Sequence, residues 1–388
     1  MSRLRRITTG ALALAAGMWV ATATATAATP TAPSTASSTT ARADLGMVFA
    51  LTNDPAGNAV VAYSRTSGGM LHQQRSYATG GRGDTLMGAV VDRTASAGAL
   101  AADRSHSRLY AVNPGSDTLT VFSTAPGWLR RAQVIGTRGD FPVSVAVSPD
   151  GMQVVVLNAR NGGSIQSFRM ADGRLVADRD GRRMLHLPTM EGTNDEATHS
   201  PGQVAFTPDG KHVVVTTKAS TNSLLVWSVM NHKLSPSART HAVPAAVPFA
   251  VAFDRMGRMS VVNAGTNTVN TYDVAADGRL RQLGSAATRG MASCWIAAFD
   301  DLVISSNTGS NTLTRFRSTM NGPMRIGMTT TGMAPVDATF SRYGKYFFVE
   351  NGATNRIETY RVSATGTLTR MDSDALPGPA GSEGIIAW

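Results

Sequence analysis

Short apolar segments alternate with turn-forming residues along most of the chain, and they recur as a unit of four segments. In one copy, a strand of small residues over 142–147 leads through the turn Ser148-Pro149-Asp150-Gly151 into an apolar strand ending at Asn158. A third segment carries Phe168 near its end, and a fourth begins at Arg174. Valine, isoleucine, threonine and aromatic residues between Pro-Asp-Gly or Asp-Gly turns are typical of short antiparallel strands. The pattern therefore predicts four strands in each unit.

Two positions of this unit recur seven times each. The residue that ends the second strand recurs as Asn53, Asn113, Asn158, Thr217, Asn263, Asn307 and Asn351. The aromatic residue of the third strand recurs as Tyr63, Phe122, Phe168, Trp227, Tyr272, Phe316 and Tyr360. Both series advance by 44–46 residues, or by 59–60 where a loop is enlarged. Four strands at this period are typical of a propeller blade, so the sequence predicts an all-β, seven-bladed β-propeller.

The two chain ends are predicted to share one blade. The first copy starts at residues 47–51 with no strand before it, whereas residues 384–388 have the pattern of the missing inner strand. We therefore expect 384–388 to pair into blade one, which closes the ring and leaves no exposed sheet edge there.

Each recurring position has a structural interpretation. Asn or Asp follows the strand-end Asn by four residues in several copies, as in Asn113/Asp117 and Asn263/Asn267. Because these side chains bond local backbone and tolerate left-handed conformations, we interpret the series as turn-building rather than ligand-binding. The aromatic series is interpreted as packing between neighbouring blades.

The N-terminal residues are predicted to direct export. Residues 1–27 combine an Arg-rich start, an apolar run over 11–20 and small residues at Ala25 and Ala27, as in a cleaved signal peptide. Residues 28–45, rich in Thr, Ala, Ser and Pro, are interpreted as a flexible linker, and 46–388 as the propeller. We expect a secreted, periplasmic or cell-envelope protein, by an export route left open. No later run approaches the ~20 apolar residues of a membrane helix, so no membrane span is expected.

Charge and cysteine content exclude several classes. The chain has 36 Lys and Arg residues against 26 Asp and Glu, a formal charge of +10. The arginines are scattered over every blade without a dense basic run, so no nucleic-acid partner is expected. The single cysteine, Cys294, excludes a disulfide framework and a cysteine-based zinc site. It lies in an apolar strand and is interpreted as a small buried filler.

The strand ends at 109–113 and 155–158, with the turns at 148–151 and 207–210, resemble the YVTN/lactonase-type seven-bladed propellers. This family includes bacterial 6-phosphogluconolactonases of the propeller type and fungal carboxymuconate lactonizing enzymes, and the resemblance covers about 46–388. It implies a lactone or carboxylate substrate handled by histidine, arginine and glutamate at the channel mouth. His199 lies about where a family histidine would precede the inner strand of blade four.

Propeller topology predicts which residues face that mouth. The loop that enters each inner strand and the loop that follows the strand-end Asn lie at one end, opposite the Pro-Asp-Gly turns. The residues expected there are His199 or Glu196 as general base, Arg138 and Arg289 as oxyanion or carboxylate clamps, and Gln203, Asp337, Glu383 and Asp140 as ligand-binding groups. Arginine suits a clamp because its planar fork binds carboxylate in a bidentate manner.

Two functions remain open at this point. One is an exported lactonase-like hydrolase that acts on a small lactone or organic acid, or a binder of an anionic or lactone ligand. The other is a non-catalytic envelope or extracellular propeller that binds a ligand or a protein partner. In both cases we expect a monomer without a metal or an organic cofactor.

Overall fold

The structure is a computed structural model, and it describes residues 46–388 except 126 and 127. The predicted signal peptide, 1–27, and the predicted linker, 28–45, lie outside the described residues. The described residues form seven antiparallel sheets in a ring, with a single short α-helix, α1 (Glu196–His199). The seven-bladed, all-β prediction is confirmed.

The blades follow each other along the chain. Blade 1 contains β1 (Met47–Leu51), β2 (Ala59–Arg65) and β3 (Leu71–Ala78). Blade 2 contains β4 (Leu100–Ala102), β5 (Arg108–Asn113), β6 (Thr118–Ala125) and β7 (Trp128–Gly136). Blade 3 contains β8 (Pro142–Val147), β9 (Gln153–Asn158), β10 (Ser164–Ala171) and β11 (Arg174–Met184). Blade 4 contains β12 (Val204–Phe206), β13 (His212–Thr216), β14 (Ser223–Met230), and an outer strand in two pieces, β15 (Lys233–Leu234) and β16 (Arg239–Ala242).

The remaining blades are regular. Blade 5 contains β17 (Pro248–Phe253), β18 (Met259–Asn263), β19 (Thr268–Val274) and β20 (Leu280–Ala287). Blade 6 contains β21 (Ser293–Phe299), β22 (Leu302–Asn307), β23 (Thr312–Thr319) and β24 (Gly322–Thr330). Blade 7 contains β25 (Pro335–Phe340), β26 (Tyr346–Asn351), β27 (Arg356–Val362) and β28 (Leu368–Ala375), and β29 (Ile385–Ala387) ends the chain. No helix in these described parts of the chain is long and apolar enough to cross a membrane.

The C-terminal strand closes the ring as predicted. β29 pairs antiparallel with β1, and Phe49 lies opposite Ile386. Beyond the strand, the main chains of Met47 and Trp388 exchange hydrogen bonds of 2.7 and 3.0 Å. The Trp388 ring stacks on Phe49 with 4.4 Å between centroids and on His106 at 4.8 Å. The last strand of the chain is therefore the inner strand of the first blade.

The strand-end Asn series builds turns, as predicted. Asn113 Nδ2 donates to the hydroxyls of Thr118 and Thr120 at 3.0 and 2.9 Å, which joins the second strand to the third. Asp117, four residues on, is left-handed with a φ of 54° and accepts the N–H of Phe141 at 2.8 Å. Because Phe141 precedes the next blade, the loop also ties consecutive blades together.

The aromatic series lies in the core, as predicted. Six of its members are at most 2% exposed and Tyr272 is 6% exposed, so each contributes a large apolar area between blades. Facing buried residues of blades 1, 2 and 3, including Tyr110 and Phe122, pack into one continuous cluster. The packing of flat faces against each other is what holds the sheets in a ring.

The enlarged loop before blade 2, which we call the plug (residues 79–99), runs across the end of the channel. Ser96 Oγ donates to Val143 O in blade 3 at 2.9 Å, and Ala97 N donates to Gly202 O in blade 4 at 3.1 Å. Gly88 approaches the other enlarged loop so closely that a Cβ there would lie 1.9 Å from Asn194 O. The plug thus contacts blade 3, blade 4 and the enlarged loop between them.

Replacing Trp388 with alanine should destabilise the protein by about 2–3 kcal/mol, because it removes the half-buried ring that packs on Phe49. A chain truncated after Glu383 should lose more, since the main-chain pairing of β29 goes with it. Urea-induced unfolding followed by tryptophan fluorescence and circular dichroism measures both.

The control is Trp128→Ala, which removes a ring that is 48% exposed on the outer strand β7 and should cost less than about 1 kcal/mol. Equal effects of the two substitutions would contradict a closure that depends on the C-terminal residues.

Candidate functional site

A pocket of about 290 Å³ opens at the plug end of the channel, between the plug and blades 4 to 6. Its walls are mainly apolar and include Val90 and Val91 of the plug, Phe249 of β17 and Trp295 of β21. Trp295 is fixed by its indole N–H, which donates to Ser96 O at 2.7 Å. Two charged residues, Lys218 and Asp92, line its inner end. Ligand sites in proteins are commonly concave and apolar with a few polar groups, so this is the candidate site.

Lys218 is buried, with 1% of its surface exposed. Its Nζ donates to Ala95 O at 2.6 Å, to Ser200 Oγ at 3.0 Å and to Ala197 O, so it joins the plug to the loop before blade 4. Three acceptors match the three donors of an ammonium group. Nζ also lies 5.3 Å from the centroid of the Phe249 ring. Burial lowers the pKa of Lys218 to about 7, although the nearby Asp92 opposes that shift.

Asp92 is held by the plug itself. Its Oδ1 accepts the N–H and the hydroxyl of Thr94, both at 2.9 Å, and its Oδ2 accepts the N–H of Ser96 at 2.8 Å. Burial raises the pKa of Asp92 to about 6, and these hydrogen bonds and Lys218 partly offset the rise. A carboxyl group of this kind changes its ionisation near neutral pH.

Three more carboxyl groups lie beside Asp92 at the centre of the ring: Asp337 on β25, Glu350 on β26 and Glu383 just before β29. Glu383 Oε2 accepts hydrogen bonds from Thr94 and Ser96 at 3.3 and 3.4 Å. Asp337 Oδ2 accepts the N–H of Ile385 at 3.3 Å, which brings its carboxyl group near that of Glu383, and burial and the negative charge of Asp337 both raise the pKa of Glu383. We call Asp92, Asp337, Glu350 and Glu383 the carboxyl cluster.

Glu350 is the least compensated member of the carboxyl cluster. It is 2% exposed, its Oε2 accepts the N–H of Gly384 at 3.2 Å, and its Oε1 has no hydrogen-bond partner among the described residues. Burial, with Asp337 and Asp92 adding negative charge, raises its pKa well above the usual range. Burial likewise raises the pKa of Glu383 strongly and that of Asp337 to about 6. Like charges in low dielectric favour the protonated forms, so the cluster retains protons that isolated carboxyl groups would lose.

Cys294 is only half-buried, because it lines the pocket beside Trp295. The expectation of a small buried filler is corrected to a partly buried residue packed against the apolar core. Although part of the residue is exposed, the sulfur atom itself is desolvated, and this raises the pKa of the thiol to about 12. The thiol therefore stays protonated and is a poor nucleophile. Within the described residues, no group of three or more His, Cys, Asp or Glu side chains is arranged to hold a metal ion.

The two predicted bases are engaged in local contacts. Glu196 is 1% exposed, and its Oε1 accepts from Arg160 Nε at 2.7 Å while its Oε2 accepts from Met87 N at 2.9 Å. His199 Nδ1 lies 3.0 Å from both Asp195 O and Thr198 Oγ1. In the described part of the chain, no hydrogen bond joins His199 to an arginine or to a carboxylate. Their role in catalysis stays a prediction.

The other predicted groups divide into rim and channel. Arg138 and Arg289 are exposed and left-handed, with φ of 57° and 61°, in equivalent loops. Asp140, in the same loop as Arg138, accepts a hydrogen bond from the side-chain amide of Asn161. Gln203 Oε1 accepts the N–H of Val251 at 2.6 Å and so joins blade 4 to blade 5. The structure does not bring these four to the pocket lining.

Asp337 and Glu383 do meet at the channel, in the carboxyl cluster. Sequence reasoning missed Asp92, Lys218 and Glu350. The two intervals of 59–60 residues were one signal, because the enlarged loops they mark supply Asp92 and contacts to Lys218. The other signal was Thr217, the one strand-end position without asparagine, which directly precedes Lys218.

We predict that the Glu350→Gln variant becomes more stable relative to the parent as pH rises from 5 to 7. The quantity compared is the free energy of unfolding of the variant minus that of the parent. The raised pKa means that the folded parent binds more protons than the unfolded chain there, so its stability falls as pH rises. Glutamine keeps an acceptor for Gly384 N but cannot ionise. The expected shift is about 1–3 kcal/mol, measured by urea unfolding at pH 5, 6 and 7.

Comparing the variant with the parent cancels the contributions of the other titrating groups to the pH dependence of stability. His106 and His212, whose pKa values burial lowers, and Lys218 act in the opposite direction but are present in both proteins. Asp172→Asn, in an exposed turn, is the control and should give a difference that does not change with pH. If the stability difference between Glu350→Gln and the parent were as independent of pH as that of the control, a protonated carboxyl cluster would be contradicted.

Comparison with known proteins is consistent with this geometry. The family model described as lactonase, 7-bladed beta-propeller, matches residues 57–182 and 161–382. A search of curated protein sequences finds no match.

Among solved structures, a putative 6-phosphogluconolactonase from Bacteroides fragilis has a TM-score of 0.71 at 18% identity, covering 90% of this chain and 99% of the other. A periplasmic gluconolactonase from Pseudomonas aeruginosa has a TM-score of 0.71 at 16% identity, covering 88% and 98%. At such identities the structures show a shared fold, whereas the family match spans most of the chain. The chain belongs to the lactonase family of seven-bladed β-propellers.

Proposed function

We propose that the protein hydrolyses a small lactone in the pocket between the plug and blades 4 to 6. The observation that carries the proposal is the pocket itself. A concave apolar site with one buried cation and one titratable carboxyl group at its inner end lies on a lactonase-family propeller. Solved propellers of the same fold are described as 6-phosphogluconolactonase and gluconolactonase, which supports a lactone as the substrate class.

The reaction needs a base and a positive charge. Water adds to the lactone carbonyl carbon while a base removes its proton, and the tetrahedral oxyanion then expels the ring oxygen. The base returns the proton to that oxygen, so the ring opens to a hydroxy acid, and the new carboxyl group then releases its own proton to solvent and becomes a carboxylate. General-base catalysis of such a step contributes about 10²–10⁴-fold.

Asp92 is the proposed base. It lines the pocket, and its Oδ2 accepts one hydrogen bond from Ser96, which leaves a lone pair for a water molecule. Its pKa near 6 makes it ionised, yet more basic than an ordinary aspartate, at neutral pH. Proton transfer is most efficient when the pKa of the base is close to the working pH.

Lys218 is proposed to stabilise the oxyanion by its charge. Because its three N–H donors are already bonded, it acts through the electric field at the inner end of the pocket rather than by a direct hydrogen bond. A fixed charge in a water-poor site is worth more than one in solution and needs no reorganisation during the reaction.

A second candidate is a propeller that binds its ligand without turnover, in the envelope or outside the cell. The observation that favours it is the same saturation of Lys218, since a residue with every donor engaged resembles a structural tie between loops. The activity assay below separates the two functions.

Asp92→Asn should lower kcat/KM for lactone hydrolysis by 10²-fold or more, because asparagine cannot accept the proton from water. In the parent, kcat/KM should rise with pH through an apparent pKa of about 6, as Asp92 ionises, and fall above an apparent pKa of about 7, as Lys218 loses its charge. A pH-stat assay from pH 5 to 8 measures both, and thermal unfolding of the variant checks that the plug stays folded.

Paired variants separate this site from the residues predicted by topology. His199→Ala and Glu196→Gln remove the two other candidate bases, and we expect both to keep a parent-like pH profile. Loss of activity in His199→Ala with full activity in Asp92→Asn would move the reaction to the rim. Binding without hydrolysis in calorimetry would establish the second candidate.

We also propose that the protein is exported, on the basis of the N-terminal pattern alone. Mass spectrometry of protein recovered outside the cytoplasm of its host should find a chain that begins near Ala28. Recovery of the full-length chain with Met1 from the cytoplasm would contradict export.

A further inference from the structure

The pocket lining offers few partners for a polar substrate. Apart from Asp92 and Lys218, the polar groups among its side chains are the hydroxyls of Thr198 and Thr308 and the thiol of Cys294, while the rest are glycine, alanine, valine, phenylalanine and tryptophan. A sugar lactone would have to bury several hydroxyl groups against these walls. Buried polar groups without hydrogen bonds cost free energy, so a polyhydroxylated ring fits this pocket poorly.

The charges around the pocket also disfavour an anion. No arginine is among the described residues that line it, and Lys218 has all three donors engaged. Asp92 faces the pocket with the other three members of the carboxyl cluster behind it. Phosphate sites in proteins are built from arginine, lysine and free backbone N–H groups. Among the described lining residues, a phosphorylated substrate would meet no arginine and only a lysine whose donors are already engaged.

The outer rim continues the apolar character. Val90 lines the pocket and is nevertheless 91% exposed, which is unusual for a branched apolar side chain. Met291, 61% exposed, directly precedes Ala292, which also lines the pocket. The plug tip and the loop before β21 thus place two apolar side chains at the opening, where they could cover a substituent that extends out of it.

From these three observations we propose that the substrate is an uncharged lactone with an alkyl substituent. The ring lies at the inner end beside Asp92, and the alkyl chain passes Phe249 and Trp295 toward Val90. The inference rests on the proposed hydrolysis and specifies its substrate class. Val90 is a specificity-determining residue in this arrangement, because it contacts the chain and not the reacting carbonyl group.

The test uses the purified protein with five substrates: γ-butyrolactone, γ-hexalactone, γ-nonalactone, glucono-δ-lactone and 6-phosphogluconolactone. For the first three, kcat/KM should rise about threefold to fourfold per added methylene until the chain leaves the pocket, which is the expected effect of burying one methylene. Glucono-δ-lactone and 6-phosphogluconolactone should be at least tenfold poorer substrates than γ-hexalactone. Rates are corrected for spontaneous hydrolysis in the absence of protein.

The variant Val90→Ser should lower the ratio of kcat/KM for γ-nonalactone over γ-butyrolactone by about threefold to tenfold. The matched control is Val134→Ser, an exposed valine on the outer strand β7, which should leave that ratio at the parent value.

The outcomes separate the inference from the proposed function. Faster hydrolysis of glucono-δ-lactone or 6-phosphogluconolactone than of every alkyl lactone would overturn the substrate class while the hydrolase function stands. No hydrolysis of any of the five would overturn both. A ratio unaffected by Val90→Ser would overturn the placement of the alkyl chain at the plug tip.

Discussion

The pairing of β1 with β29 is the interaction on which the rest of the structure depends. A propeller blade has two flat apolar faces, and these are covered only when every blade has a neighbour on each side. The pairing closes that circle and fixes Glu383, two residues before β29, at the centre. There its carboxyl group meets Thr94, which is 289 residues away in the chain. The carboxyl cluster, and with it the environment of Asp92, exists only in a closed ring.

The plug converts the end of this ring from an open channel into a pocket. Ser96 bonds blade 3 through its hydroxyl and blade 6 through its carbonyl, and Arg93 N donates to Gly381 O at 3.0 Å near the C terminus. The plug forms no blade of its own. Because it is anchored on blades 3 and 6 and near the C terminus, it divides the central space of the ring. The other carboxyl groups of the cluster lie on one side of Asp92 and the apolar walls on the other. The position of Asp92 at this boundary gives it both a raised pKa and access to the pocket.

The sequence predicted the scaffold well because the scaffold is repeated. Seven copies of two markers at one period determine strand number, strand order and closure, and the Asn113 and Phe122 series have the structural roles expected of them. The candidate site could not be read in the same way, because its residues occur once each. Asp92 and Lys218 belong to no motif, and they become neighbours only through long-range packing of two enlarged loops. Topology did place Asp337 and Glu383 at the channel, but it could not show that Glu196 bonds Arg160.

The charge distribution of the site has a consequence for the direction of the proposed reaction. Hydrolysis of a neutral lactone creates a carboxylate within the pocket, next to Asp92 and the carboxyl cluster. Before the reaction, the substrate carries no charge for this cluster to repel. Afterwards, repulsion from the ionised carboxylate of Asp92 in a water-poor site acts on the product and not on the substrate. An apolar pocket backed by carboxyl groups therefore favours binding of a neutral ester and release of its acid.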